Sequence, residues 1–153
     1  MQKDELINKL SELVQLDIDA VHSYDQAMDH IKEDTIRTEL SRFQEDHEKH
    51  ITSLSIVLRD LGAEPPEYSP DFKGYLITGF TSLRSASGTE GALKAMQSNE
   101  KLTNKKYQEA GSWNTDEALS LKLNDFLEDE RRHLSYVEEA LDRKIWELEK
   151  EKA

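Results

Sequence analysis

Cysteine is absent from all 153 residues, which excludes disulfides, zinc–thiolate clusters and a rubredoxin-type iron centre together. Proline and glycine are scarce, at three and six, too few for a sheet protein with many turns. No apolar stretch resembles a membrane span, and the N-terminal MQKDELINKL lacks the hydrophobic run of a signal peptide. A cytoplasmic, soluble protein is therefore expected. Positive charge is also short: 20 Lys and Arg face 32 Asp and Glu, for a net charge of −12 with histidine neutral. Such a surface repels phosphate backbones and anionic lipid, so neither nucleic acid nor membrane is an expected partner. It favours cations, although charge alone makes no site.

What is present suits long amphipathic helices, with 34% charged and 36% hydrophobic residues. The spacing predicts four helices, at about 3–31, 34–61, 89–111 and 115–149. Asp34 or Thr35, Thr89, and Asn114 or Thr115 are the expected N-caps, while Gly62 and Gly111 stand at expected C-termini. Residues 62–88 hold all three prolines and form a long connection, within which Phe72–Ser85 is expected to make a short helix with Phe72, Leu76, Phe80 and Leu83 on one side.

Each helix carries apolar residues every three or four positions, and each seam is interrupted near its middle by ionisable side chains. These are Asp17 in the first helix, His47 and His50 in the second, Glu100 in the third, and Glu130 and His133 in the fourth. Burying an isolated charge is costly, so one could be an accident, but six at matching places call for a common cause. The matching is an internal repeat. A shift of 83 carries Asp17 to Glu100, Tyr24 to Tyr107, Phe43 to Phe126, Asp46 to Asp129, His47 to Glu130 and His50 to His133. The chain reads as a duplicated helical hairpin, about 3–61 and 89–149, joined by a crossover into one domain over 1–153. The expected fold is all-α, an antiparallel four-helix bundle with its ionisable residues in one central layer.

Glu130-Arg-Arg-His133 and the carboxylate-to-tyrosine spacings Asp17…Tyr24 and Glu100…Tyr107 resemble the motifs of the ferritin-like superfamily, bacterioferritin and rubrerythrin in particular. The resemblance covers nearly the whole chain, duplication included. It implies a bacterial-type bundle that holds iron with carboxylates and histidines and reacts with dioxygen or peroxide. It maps the family's metal ligands onto Asp17, Glu100, Glu130 and His133. The second helix departs from the pattern, because His47-Glu-Lys-His50 has histidine at the carboxylate position. The interval of 33 that joins the family's two carboxylates here ends on His50 and His133. The ligand set is thus either all six residues or the four Asp17, His50, Glu100 and His133.

Three carboxylates among six candidates carry −3, so one ion, or two of unequal strength, is expected. Mixed imidazole and carboxylate ligation suits iron, zinc, manganese, cobalt or nickel without choosing among them; the resemblance implies iron first, with zinc and manganese as alternatives. Without cysteine, redox chemistry would need an external electron donor. A homodimer is compatible with the sequence. Storage members of the superfamily add a short helix after the fourth, and the fourth segment here is read as running almost to the end, which argues against a storage cage. The second reading is a non-catalytic, structural or stress-associated bundle, in which Asp17–His50 and Glu100–His133 are buried pairs. His22 and His30 lie off the seams and are expected to be solvated, and Tyr24 and Tyr107 are read as core residues with a polar tip.

Overall fold

The computed structural model describes residues 1–68, 83 and 86–152, with side chains to residue 148. It contains α1 (Lys3–Asp29), α2 (Asp34–Asp60), α3 (Gly88–Gly111), α4 (Glu117–Arg143) and a short α5 (Ile145–Lys152). The repeat is visible in these bounds. Moving α2 by 83 positions superimposes its first and last residues on those of α4, and both are 27 residues long.

The four long helices form a ferritin-like bundle. Within each hairpin α1 lies along α2 and α3 along α4; between hairpins α1 meets α3 and α2 meets α4. Two apolar clusters fix the directions. One joins Leu10 and Leu13 near the start of α1 to Leu54 and Leu58 late in α2, Tyr107 and Ala110 late in α3, and Leu119 and Leu123 early in α4. The other joins Ala27, Ile36, Leu40, Leu93, Met96, Val137 and Ala140 from the opposite ends of the same helices. Every neighbouring pair is therefore antiparallel. Because α2 finishes beside the first cluster and α3 begins beside the second, the connection between them joins opposite ends of the bundle. Between the clusters lies the polar layer.

Helix ends follow local chemistry. After α2, Gly62 takes φ 85°, its N–H reaching the Arg59 carbonyl at 2.9 Å while the Ala63 N–H reaches that of Leu58 at 3.0 Å. This crossed pair of bonds is a Schellman stop, and a positive φ is what glycine supplies cheaply. Asp116 caps α4, its carboxylate accepting from the Leu119 N–H at 2.8 Å, where Asn114 or Thr115 was expected. Glu33 and Ser87 precede α2 and α3 without side-chain caps, so Asp34, Thr35 and Thr89 do not cap these helices. The Thr89 hydroxyl instead donates to the carboxylate of Glu33, 2.8 Å away, tying the start of α3 to the first hairpin turn.

The fourth helix is shorter than the sequence suggests. It stops at Arg143, because Lys144 turns left-handed at φ 48°, ψ 54° and α5 starts immediately after it. The turn folds Trp146 back onto the second cluster, where 8% of it is exposed. A short helix thus follows the fourth, which removes the sequence argument against a storage cage. The expected helix at Phe72–Ser85 lies outside the described residues apart from Leu83, which is buried in the same cluster. His22 and His30 are half-buried rather than solvated; His22 Nε2 is enclosed without a hydrogen-bond partner among the described residues, and its ring lies near Tyr68.

Candidate metal centre

Alpha-helical periodicity brings the six residues together. His47 and His50 on α2, and Glu130 and His133 on α4, are three apart and project from one face of their helices. Asp17 and Glu100 enter from α1 and α3. All six are buried, none exposing more than 1% of its surface. His47 and Glu130 lie within the same cluster as the other four, so the narrower set of four residues is not what the geometry brings together.

Asp17 Oδ1 lies 2.7 Å from His47 Nδ1 and 3.3 Å from His50 Nδ1. His47 Nδ1 is 3.4 Å from Glu130 Oε1, and its Nε2 is 3.5 Å from Glu100 Oε1. His133 Nδ1 is 3.4 Å from Glu130 Oε2 and 3.7 Å from Glu100 Oε1. Two overlapping groups result, Asp17–His47–His50–Glu130 and His47–Glu100–Glu130–His133, each with donor atoms within 4.8 Å of one another. His47 and Glu130 belong to both. The chemistry of this donor set, three carboxylates and three imidazoles, suits a divalent transition ion.

A surrounding shell orients these side chains, and it crosses between hairpins. Tyr24 donates to Glu100 Oε1, and its repeat partner Tyr107 donates to Asp17 Oδ2. Asp46 Oδ2 holds His133 Nε2 at 2.8 Å, while Asp129 Oδ2 holds His50 Nε2 at 2.9 Å. Both imidazoles are left with Nδ1 turned inward, as in carboxylate–histidine–metal arrangements. Arg132 spans the two outer aspartates, 3.1 Å from Asp46 and 2.8 Å from Asp129. Phe43 stacks on His133 and Phe126 on His50, again related by the repeat.

The shell breaks the repeat between Glu100 and Glu130. The Thr103 hydroxyl lies 3.0 Å from Glu130 Oε2 and 3.1 Å from Glu100 Oε2, one donor between two carboxylates. Asn104 bonds the carbonyls of Glu100 and Glu130, tying α3 to α4. In the first hairpin the corresponding residues are Ala20 and Val21, which offer no side-chain donor.

Burial by itself would lower the three imidazoles, but facing carboxylates reverse the sign. His50 is raised to about 9 by Asp129 and Asp17, and His133 to about 10 by Asp46, Glu100 and Glu130. His47 is raised well above its usual range by Glu130, Asp17 and Glu100. Burial would raise Glu100 and Asp17, yet His133 and His47 hold the first well below the usual carboxylate range, and His47 and His50 lower the second. Glu130 is raised, burial and the charge of Glu100 outweighing its histidines. Half-buried Asp46 is lowered to about 2 through His133 and Arg132, against the opposing effect of burial. Burial and the facing carboxylates push both tyrosines well above their ordinary value.

Residues 5–112 match the family described as Domain of unknown function (DUF2383). The chain belongs to that family. The match spans α1, α2 and α3 and ends before α4, so in this DUF2383 member the Glu130–His133 pair lies beyond the matched stretch. No curated protein matches. Among solved structures the fold is similar to that described as "ferritin like, diiron-carboxylate proteins from Bacillus anthracis str. Ames", with a TM-score of 0.75 and 19% identity over 92% of this chain and 99% of that one. At that identity the likeness is one of fold. No described helix of this DUF2383 member is long and apolar enough to cross a membrane.

Asp46 and Asp129 were not among the sequence candidates for the site. They sit one position outside the core seam, but they are acids related by the repeat and adjacent in sequence to the central residues, and that was the signal for them. Thr103 had a comparable signal, as a hydroxyl on the seam beside Glu100.

Proposed function

We propose that the protein is a metal-binding member of the ferritin-like superfamily, holding one or two transition-metal ions in the bundle core through Asp17, His47, His50, Glu100, Glu130 and His133. One observation carries this reading. His47 Nε2, Glu130 Oε1 and His133 Nδ1 are buried within the layer and have no hydrogen-bond partner among the described residues, while the other nitrogens and carboxylate oxygens of the six residues are bonded. Leaving such atoms unsatisfied costs about 1–3 kcal/mol each, and a bound cation would satisfy all three.

Iron is the leading candidate, and the diiron-carboxylate description of the structural neighbour supports it. Bound iron would supply redox chemistry toward dioxygen or peroxide. The chain's own contribution is to fix the inward nitrogens through Asp46 and Asp129, hold the tyrosine protons against Glu100 and Asp17, and keep bulk water out. With no cysteine, electrons for repeated turnover would come from an external donor. We read the chain as one functional domain over 1–153, working in the cytoplasm away from nucleic acid and membrane and compatible with a homodimer.

The second reading is a structural or stress-associated bundle without chemistry. The raised imidazoles favour it, because protonated His50 and His133 neutralise the buried carboxylates without a metal. Metal analysis of protein purified without chelator, followed by titration with Fe(II), Zn(II) and Mn(II), decides between the two. Uptake of at least one ion per chain is expected. Absence of uptake for all three metals would sink the metal reading and leave the structural one.

A further inference from the structure

His47 occupies the position that the repeat assigns to Glu130 in the other hairpin, and these two residues alone belong to both candidate ligand groups. A carboxylate has two oxygens with which to serve two ions. An imidazole has two nitrogens, on different edges of one rigid ring. The His47 ring is placed to use both. Nδ1 faces Asp17 at 2.7 Å and Glu130 at 3.4 Å. Nε2 faces Glu100 at 3.5 Å and has no hydrogen-bond partner among the described residues. The ring also lies between the outer histidines, its centroid 5.6 Å from that of His50 and 5.2 Å from that of His133.

We propose that His47 is a bridging imidazolate between two divalent ions. Nδ1 serves the ion held with Asp17 and His50, Nε2 serves the ion held with Glu100 and His133, and Glu130 is the other shared ligand. The proposal rests on the metal-binding reading and adds to it the number of ions and the means by which they are joined. In balance, two metal–nitrogen bonds form, the ring protons leave to solvent, and nothing is oxidised or reduced.

Charge supports the deprotonated ring. Two divalent ions bring +4, and Asp17, Glu100 and Glu130 supply −3, which leaves an uncompensated positive charge in a buried layer. An imidazolate supplies the missing −1 and makes the site neutral, the condition under which buried charge is tolerated. The asymmetry of the surrounding shell points the same way. Glu130 keeps the Thr103 hydroxyl beside its oxygen, as a carboxylate with spare lone pairs requires. The residue that the repeat matches to Thr103 is Ala20, and a ring with both in-plane lone pairs engaged needs no further donor.

Copper(II) is the probe, because it takes imidazole and carboxylate ligands and reports coupling directly. Chelator-free full-length protein is loaded with Cu(II), metal per chain is counted, and the paramagnetic resonance signal is compared with total copper. The expected result is two ions per chain, with antiferromagnetic coupling that leaves low-temperature spin intensity well below the copper content. His47→Gln should weaken the second ion by more than about 100-fold, beyond the loss of even an outer-shell partner, and restore a full single-ion signal. His47→Glu should bind two ions with a coupling of different strength, because a second carboxylate bridge stands where the imidazolate was, and it carries the test if the glutamine variant does not fold. One ion per chain in the unaltered protein, two uncoupled ions, or coupling unchanged in His47→Glu would overturn the bridge. No copper uptake at all would instead bring down the metal-binding reading on which it stands.

Discussion

His133, on the second hairpin, is aimed by Asp46 on the first: the carboxylate Oδ2 lies 2.8 Å from Nε2 and leaves Nδ1 facing the core. Asp129 does the same for His50 in the reverse direction. Neither aspartate belongs to the inner layer, yet each sets the tautomer and the angle of a ring that does.

Replacing Asp46 or Asp129 by Asn should therefore lower metal affinity by about 10–100-fold while keeping the stoichiometry. Equilibrium dialysis with Zn(II) measures this. Affinities unchanged in both variants would mean that the outer carboxylates only solubilise the α2–α4 surface.

The metal-free protein should lose stability as pH rises through the alkaline range. His50 and His133 are raised in the folded state to about 9 and about 10 from an unfolded value near 6.5. A raised folded value means that protons stabilise the fold. That contribution is complete below the unfolded value and disappears as pH climbs through 9 to 10. Melting temperature of apo protein should fall between pH 7 and pH 10, and the fall should shrink in a His50→Gln, His133→Gln double variant. Metal affinity should rise over the same interval, since the ion competes with those protons.

The two tyrosines offer a paired test. Tyr24→Phe deprives Glu100 of a donor and Tyr107→Phe deprives Asp17 of one, both at fully buried carboxylates. Each should destabilise the apo protein by about 1.5–3 kcal/mol, the range for hydrogen bonds to charged groups. Chemical denaturation reads the change. A loss below about 0.5 kcal/mol in both would show that neighbouring groups replace the phenol, in which case the tyrosines act as packing alone.

At the end of α4, Lys144 holds a left-handed conformation that burdens a residue with a β-carbon by about 1–2 kcal/mol. Lys144→Gly should relieve this and raise stability by up to about 1 kcal/mol after the extra freedom of glycine in the unfolded chain is counted. Trp146→Ala should cost about 3 kcal/mol or more, since the indole is buried against the second apolar cluster. If the glycine variant melts lower, the turn is held by contacts of the lysine side chain rather than tolerated despite its strain.

The bundle and the six central residues were legible because helical periodicity and the repeat are both long-range patterns. Even with histidine in place of glutamate at 47, the shift of 83 kept the position in view. The break at Lys144 was not legible. No glycine or proline marks it, and the cause is tertiary: Trp146 finds a place on the apolar end of the bundle, which a continued α4 would deny it. The outer aspartates were hidden differently. A seam drawn from apolar spacing ends where exposure begins, and Asp46 and Asp129 stand just past that edge, reaching across to the opposite hairpin.

The duplication has a consequence for symmetry. Two copies of one hairpin, associating about the axis that relates the halves here, would assemble a complete layer, because each half provides the outer carboxylate and the phenol that orient the other half's central residues. Such a dimer would be bound to carry the same side chain at both shared positions, two histidines or two glutamates. Joining the halves in one chain lifts that constraint. Histidine at 47 facing glutamate at 130, with Ala20 in one half matched to Thr103 in the other, is an arrangement that a symmetric pair of identical hairpins cannot have.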